Sequence, residues 1–148
     1  NCPVIANGNV VNSQTGLSYL KSTGAAGLMI GRGAIRNPWI FEQIRCATSK
    51  QKIPQVTGRM ILEYITKLYD ETAREISEFI EDRHVQKMKK YLVYISQGHH
   101  ADFEHQIRRV KNKTEFFDTC IRFLDHEDDA PDLPSENSRL FCGFSQFL

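Results

Sequence analysis

Two short turns carry the residues best suited to chemistry. Asn7-Gly8-Asn9 follows the apolar run Pro3-Val4-Ile5-Ala6, and Gly31-Arg32-Gly33 follows the apolar run from Ala26 to Ile30. At the carboxyl end of a strand, a glycine turn exposes backbone N–H groups and lets the chain approach an anion with no Cβ in the way. Arg32 adds a charge-assisted, potentially bidentate contact. Either turn alone reads as a glycine serving a tight bend. Both together, with Arg32, read as a phosphate cup built from two successive loops.

A second candidate is electrostatic. Between Arg83 and Lys113 stand eight Lys or Arg (Arg83, Lys87, Lys89, Lys90, Arg108, Arg109, Lys111 and Lys113) against Asp102 and Glu104, a net +6 inside a chain of net charge +1. Arg83, Lys87 and Lys90 are spaced to share one helix face. Such a cluster suits the phosphates of folded RNA, read by shape and charge. A solvated helix face is the competing reading, and the stretch by itself does not separate the two. The preceding segment, read as one helix from Gly58 to residue 82, is acidic and is expected to face away from RNA.

The remaining reactive side chains point to less. Cys2, Cys46, Cys120 and Cys142 are scattered with no CxxC pair, which argues against a zinc site and against a dense disulfide framework. His84, His99, His100 and His105 lack a Cys or carboxylate partner at ligand spacing and read as surface histidines. No metal is expected. A reducing, cytoplasmic setting is the simplest reading of the cysteines, and no apolar run approaches the roughly 20 residues that span a bilayer.

The elements that must position these groups fall into two kinds. Residues 1–47 read as two strand–loop–helix units: a first helix from about Ser13, taken as its cap, to Ser22 with Gly24 ending it, and a second from Pro38 with Asn37 as its cap. Nearly continuous apolar strands alternating with helices imply a parallel sheet covered on both faces. Two such strands cannot stand alone, so a missing amino-terminal portion or another chain is expected to complete the sheet. Residues 48–56 are polar with one Pro and read as a linker. Residues 57–126 turn to helical periodicity and are expected to form four helices. Residues 127–148 are an acidic stretch, expected to be mobile, and then an apolar end.

The text PVIANGNV, followed by GAAGLMIGRGAIRNPWIFEQI from Gly24 to Ile44, closely resembles the flavin-phosphate region of tRNA-dihydrouridine synthases. The resemblance implies the last two βα units of a TIM (β/α)8 barrel, followed by an all-α four-helix tRNA-binding domain. It implies FMN on Asn7, Gly8, Asn9, Gly31 and Arg32, with Asn9 standing where the family usually has Asp. Met88-Lys89-Lys90-Tyr91-Leu92-Val93-Tyr94 and Ile107-Arg108 resemble the family's later helices more loosely, with Tyr91 and Tyr94 in place of His and Trp. Trp39 and Phe41 are expected to pack the start of the last barrel helix and the junction with the helical domain.

In that family, reduced FMN exchanges a hydride with the uracil ring, a cysteine protonates the neighbouring carbon, and NADPH recharges the flavin. None of the four cysteines here matches the family's catalytic loop, so no catalytic residue is assigned and the isolated chain is expected to be inactive. The tRNA contacts are expected at Arg83, Lys87, Lys89, Lys90, Arg108, Arg109 and Lys111. Two other readings stay open: part of an FMN-dependent barrel oxidoreductase acting on a small molecule, and a non-catalytic RNA-binding module.

Overall fold

The computed structural model describes residues 2–76, 78–134, 138 and 140. They form two compact units, one of residues 1–54 with 132–148 and one of residues 55–131.

In the first unit, strand β1 (Ile5–Asn7) leads through a loop to helix α1 (Ser13–Thr23), then to strand β2 (Gly27–Met29). Two helices follow, the short α2 (Arg32–Arg36) and α3 (Ile40–Thr48). The strands pair in parallel, with Ile5 opposite Gly27, Ala6 opposite Leu28 and Asn7 opposite Met29. Because side chains alternate across a strand, Ala6 and Leu28 share one face and the other two pairs share the opposite face. Helix α1 covers the Leu28 face, where a Cβ on Gly16 would meet Ile44 Cδ1 at 2.8 Å and Leu28 Cδ1 at 3.4 Å. The opposite face leaves Ile5 and Met29 at least half exposed.

Helix α1 is capped by Asn12, not Ser13: the Asn12 side chain accepts from Thr15 N at 2.9 Å. Thr15 Oγ1 in turn accepts from the backbone N–H of Asn12 at 3.1 Å. This reciprocal box satisfies the helix start, and such a cap contributes about 1 kcal/mol. The helix ends as expected at Gly24, whose φ of 63° is the left-handed conformation glycine adopts without strain.

The second helix does not begin at Pro38. Residues 32–36 form the separate helix α2 and Asn37 ends it. The Asn37 side chain caps a turn by accepting from Trp39 N at 3.1 Å, and α3 starts only at Ile40. That shift changes which side chain is core: Ile40 is fully buried while Phe41 is 45% exposed, so Phe41 does not pack the helix start.

The second unit consists of α4 (Gly58–Arg74), α5 (Glu81–Ile95), α6 (Ala101–Ile107) and α7 (Lys113–Leu124). Its core stacks Ile61, Ile65 and Tyr69 of α4 against Val85, Met88, Leu92 and Ile95 of α5, Phe103 and Ile107 of α6, and Phe116, Cys120 and Leu124 of α7. Each buried apolar side chain of this size stabilises by about 1.5–3 kcal/mol. Gly58 lets the start of α4 approach the end of α7, since a Cβ there would meet Leu124 O and His126 Cε1 at 2.6 Å.

The helix expected to run to residue 82 stops at Arg74. Ile80, inside the expected helix, is 45% exposed and instead precedes α5. The earlier stop lets the chain turn back so that His84 meets Tyr69, with ring centroids 4.4 Å apart. His84 Nε2 donates to the Tyr69 carbonyl at 3.0 Å, so His84 is a core residue, not a surface histidine. The acidic stretch also differs from expectation: Ala130 N donates to Val56 O at 2.7 Å, and Thr57 bridges to Asp129. These bonds fix its first part on the second unit.

Residues 141–148, including Cys142 and most of the apolar end, lie outside the described residues. Among the described residues, no helix is long and apolar enough to cross a membrane.

Candidate functional site

The parallel pairing of β1 and β2 brings the loops after both strands to the same edge of the sheet. There Asn7, Gly8, Asn9, Gly31 and Arg32 line one hollow of about 200 Å³. Val10, Val11, Met29, Gly33 and Leu140 complete its wall. Asn9, in place of a carboxylate, leaves Arg32 as the single charged group among these lining residues.

The backbone amides divide into used and unused. Val11 N donates to Thr15 Oγ1 at 3.1 Å, and Asn12 N does the same at 3.1 Å. Val10 N donates to Gly8 O at 2.9 Å, and Ala34 N to Gly31 O at 3.0 Å. The amides of Asn9, Gly31 and Gly33 donate to no acceptor among the described residues. Gly33 is the second residue of α2, where a helix has no intrahelical acceptor to offer. Three unpaired backbone donors and one guanidinium border the same hollow, which is chemistry that suits a phosphate monoester.

The two glycines of the second turn serve different ends. A Cβ on Gly33 would collide with the carbonyl oxygen of Val10, so Gly33 is needed for the two loops to touch. A Cβ on Gly31 would meet no atom of the described residues within 4 Å. Packing among the described residues therefore gives no reason for glycine at position 31.

Sequence reasoning missed the groups that brace these loops. Arg36, 5% exposed, donates from Nη1 to the Asp132 carbonyl at 3.1 Å. Burial pulls its pKa down to about 10, and the nearby Asp132 carboxylate counters that pull. Asp132 Oδ2 also accepts from Asn12 Nδ2 at 2.7 Å. The Asn12-Ser13-Gln14-Thr15 spacing is a capping signal that could have identified Asn12. Nothing local in the sequence links Asp132, nearly a hundred residues on, to Arg36.

In the second unit the basic residues separate by role. Arg83, Lys87 and Lys90 lie on the face of α5 opposite the buried Val85, Met88 and Leu92, with Arg83 and Lys90 exposed. Lys89 is drawn away from them, donating to the Val110 carbonyl at 2.9 Å, and so joins α5 to the turn between α6 and α7. Arg108, Arg109 and Lys111 are exposed around that turn. Arg108 Nη2 lies 3.6 Å from Glu104 Oε2, and Arg109 Nη1 donates to His105 O at 2.9 Å. Lys113 sits over the Tyr69 ring, 5.3 Å from its centroid. Arg109 also borders a groove of about 370 Å³ between α6 and α7 with His105 and Arg122. Arg122 lies outside the basic stretch and reaches this groove only through the packing of α6 on α7.

Among the described residues, no cysteine lines the hollow. Cys120 is fully buried in the helical core, and burial pushes its thiol up to about 12. Cys2 and Cys46 are free thiols that do not line the hollow.

Comparison with known proteins gives a concordant result. A family model described as dihydrouridine synthase (Dus) matches residues 1–128. A probable tRNA-dihydrouridine synthase of Helicobacter pylori strain J99 is 38% identical over 97 residues, covering 65% of this chain and 26% of the relative. The tRNA-dihydrouridine synthase B of Shewanella oneidensis is 40% identical over 73 residues, covering 46% and 23%. A probable tRNA-dihydrouridine synthase of Mycobacterium tuberculosis strain H37Rv is 25% identical over 132 residues, covering 89% and 33%. Across such curated relatives the aligned region amounts to 20% to 34% of their length.

Proposed function

The chain belongs to the dihydrouridine synthase family, and we propose that it is the cofactor-phosphate and tRNA-binding part of a flavin-dependent tRNA-dihydrouridine synthase. The observation that carries this reading is the convergence of both glycine turns on one hollow, with the unpaired amides of Asn9, Gly31 and Gly33 and the guanidinium of Arg32 at its border. Asn7, Gly8, Asn9, Gly31 and Arg32 hold the FMN phosphate, and the side chain absent at Gly31 leaves room for its oxygens. Bound FMN supplies the hydride chemistry; this chain's residues bind and orient the cofactor and supply no proton donor.

The two parallel strands are the end of a TIM barrel, and the exposed face carrying Ile5 and Met29 turns toward its interior. The rest of that barrel carries the catalytic cysteine. Arg83, Lys87, Lys90, Arg108, Arg109 and Lys111 contact tRNA phosphates, while Lys89 acts mainly by fixing the Val110 turn. The likeness to tRNA-dihydrouridine synthases favours tRNA over a small-molecule substrate.

A chimera tests the proposal. Residues of this chain replace the matched region of the Shewanella oneidensis enzyme, and flavin content and dihydrouridine in tRNA are measured in cells lacking that activity. The expected result is retained FMN and restored dihydrouridine, both lost with Arg32→Ala. A folded chimera that holds FMN equally well with and without Arg32 would contradict it.

A further inference from the structure

We infer that Asp132 is a positioning residue that clamps the two glycine turns at a fixed separation; this rests on the phosphate-site reading above. The contacts close a ring. Val10, in the first loop, lies with its carbonyl oxygen directly against Gly33 of the second. One helical turn beyond Gly33, Arg36 donates to the Asp132 carbonyl at 3.1 Å. Asp132 Oδ2 then accepts from Asn12 Nδ2 at 2.7 Å, two residues from Val10. Both donors are buried, Asn12 at 2% exposure and Arg36 at 5%.

Each partner is held from a second side. The other end of the Asn12 amide caps α1 through Thr15 N at 2.9 Å, so Asp132 is anchored to a side chain that cannot swing without releasing the helix start. Asp132 itself is exposed, yet its carbonyl accepts from the buried Arg36 while Asn12 orients its carboxylate. One residue, arriving after the entire helical unit in sequence, thereby spans both loops. A phosphate held by amides from two loops requires their spacing to be set before it binds, since ordering them on binding subtracts from affinity. Asp132 supplies that order without touching the hollow.

The test uses the 148-residue chain carrying Asp132→Ala or Asp132→Asn. Hydrogen exchange is followed at the amides of Val11 and Asn12, which donate to Thr15. Asp132→Ala is expected to speed their exchange about tenfold, while Met88 and Leu92 in the other unit stay unchanged. Asp132→Asn, which keeps an oxygen for Asn12, is expected to remain within about twofold. FMN affinity, read from amide shifts of Gly8 and Gly31, should fall about tenfold for Ala and about twofold for Asn. Unchanged exchange at Val11 and Asn12 in the Ala variant overturns the clamp, as does an equal rise at Met88 and Leu92. FMN that leaves the wild-type Gly8 and Gly31 amides unmoved overturns the phosphate reading instead, and the exchange result still decides the clamp.

Discussion

The two units offer an anion opposite kinds of donor. In the first, the candidate donors are backbone amides of Asn9, Gly31 and Gly33, placed by strand pairing and loop geometry. In the second, the donors are side chains of Arg83, Lys87, Lys90, Arg108 and Arg109 on helix surfaces. Backbone donors are fixed in place and suit one small ligand. Side-chain donors on long stems suit a broad polyanion contacted by charge and shape. The first site should thus break under single-atom changes near the backbone, and the second only under changes of net charge.

The sharpest way to break the comparison is at the two glycines of one turn. Gly33→Val drives a side chain into the Val10 carbonyl and is expected to cost about 3 kcal/mol in urea denaturation. Gly31→Ala meets nothing among the described residues and should shift the denaturation midpoint far less than Gly33→Val while abolishing FMN-dependent shifts. Equal effects of the two would erase the distinction between fold glycine and ligand glycine.

Arg32→Ala comes next, with an expected loss of about thirtyfold in FMN affinity, or about 2 kcal/mol. In the helical unit, Arg83→Glu with Lys90→Glu should weaken tRNA binding about tenfold and flatten its dependence on salt. Lys89→Glu provides a contrast there, because it removes the bond to Val110 and should lower stability as well as affinity.

The smallest effect is one of pH. Cys120 in the folded chain has its pKa raised from 9.0 to about 12, so the folded state retains a proton that the unfolded state gives up. Its contribution is complete below pH 9 and is lost as pH rises toward 12, at about 1.4 kcal/mol per unit. Cys120→Ala should remove that alkaline slope in denaturation curves taken at successive pH values.

What the sequence made legible follows from the same contrast. The glycine turns are local in sequence, and parallel pairing of the strands that carry them brings all five expected residues to one hollow. Gly24 likewise ends α1 for a reason carried by one residue. The stop at Arg74 was not legible, because Ile76 and Ile80 continue the helical period with no Gly or Pro between. The turn there is selected by a tertiary contact, His84 against Tyr69. Lys89 looks like its neighbours in sequence, and only the packing of α5 beside the Val110 turn removes it from the exposed set. Asp132 was invisible for the same reason, as its partners Asn12 and Arg36 lie far upstream.

The central claim is that the two glycine loops recognise a phosphoryl group, and the most direct measurement compares FMN with riboflavin, which lacks it. In a titration of the isotopically labelled chain, FMN should move the amide resonances of Gly8, Asn9, Gly31 and Gly33, and riboflavin should leave them in place. Identical responses to both ligands, or shifts confined to other residues, would contradict the account.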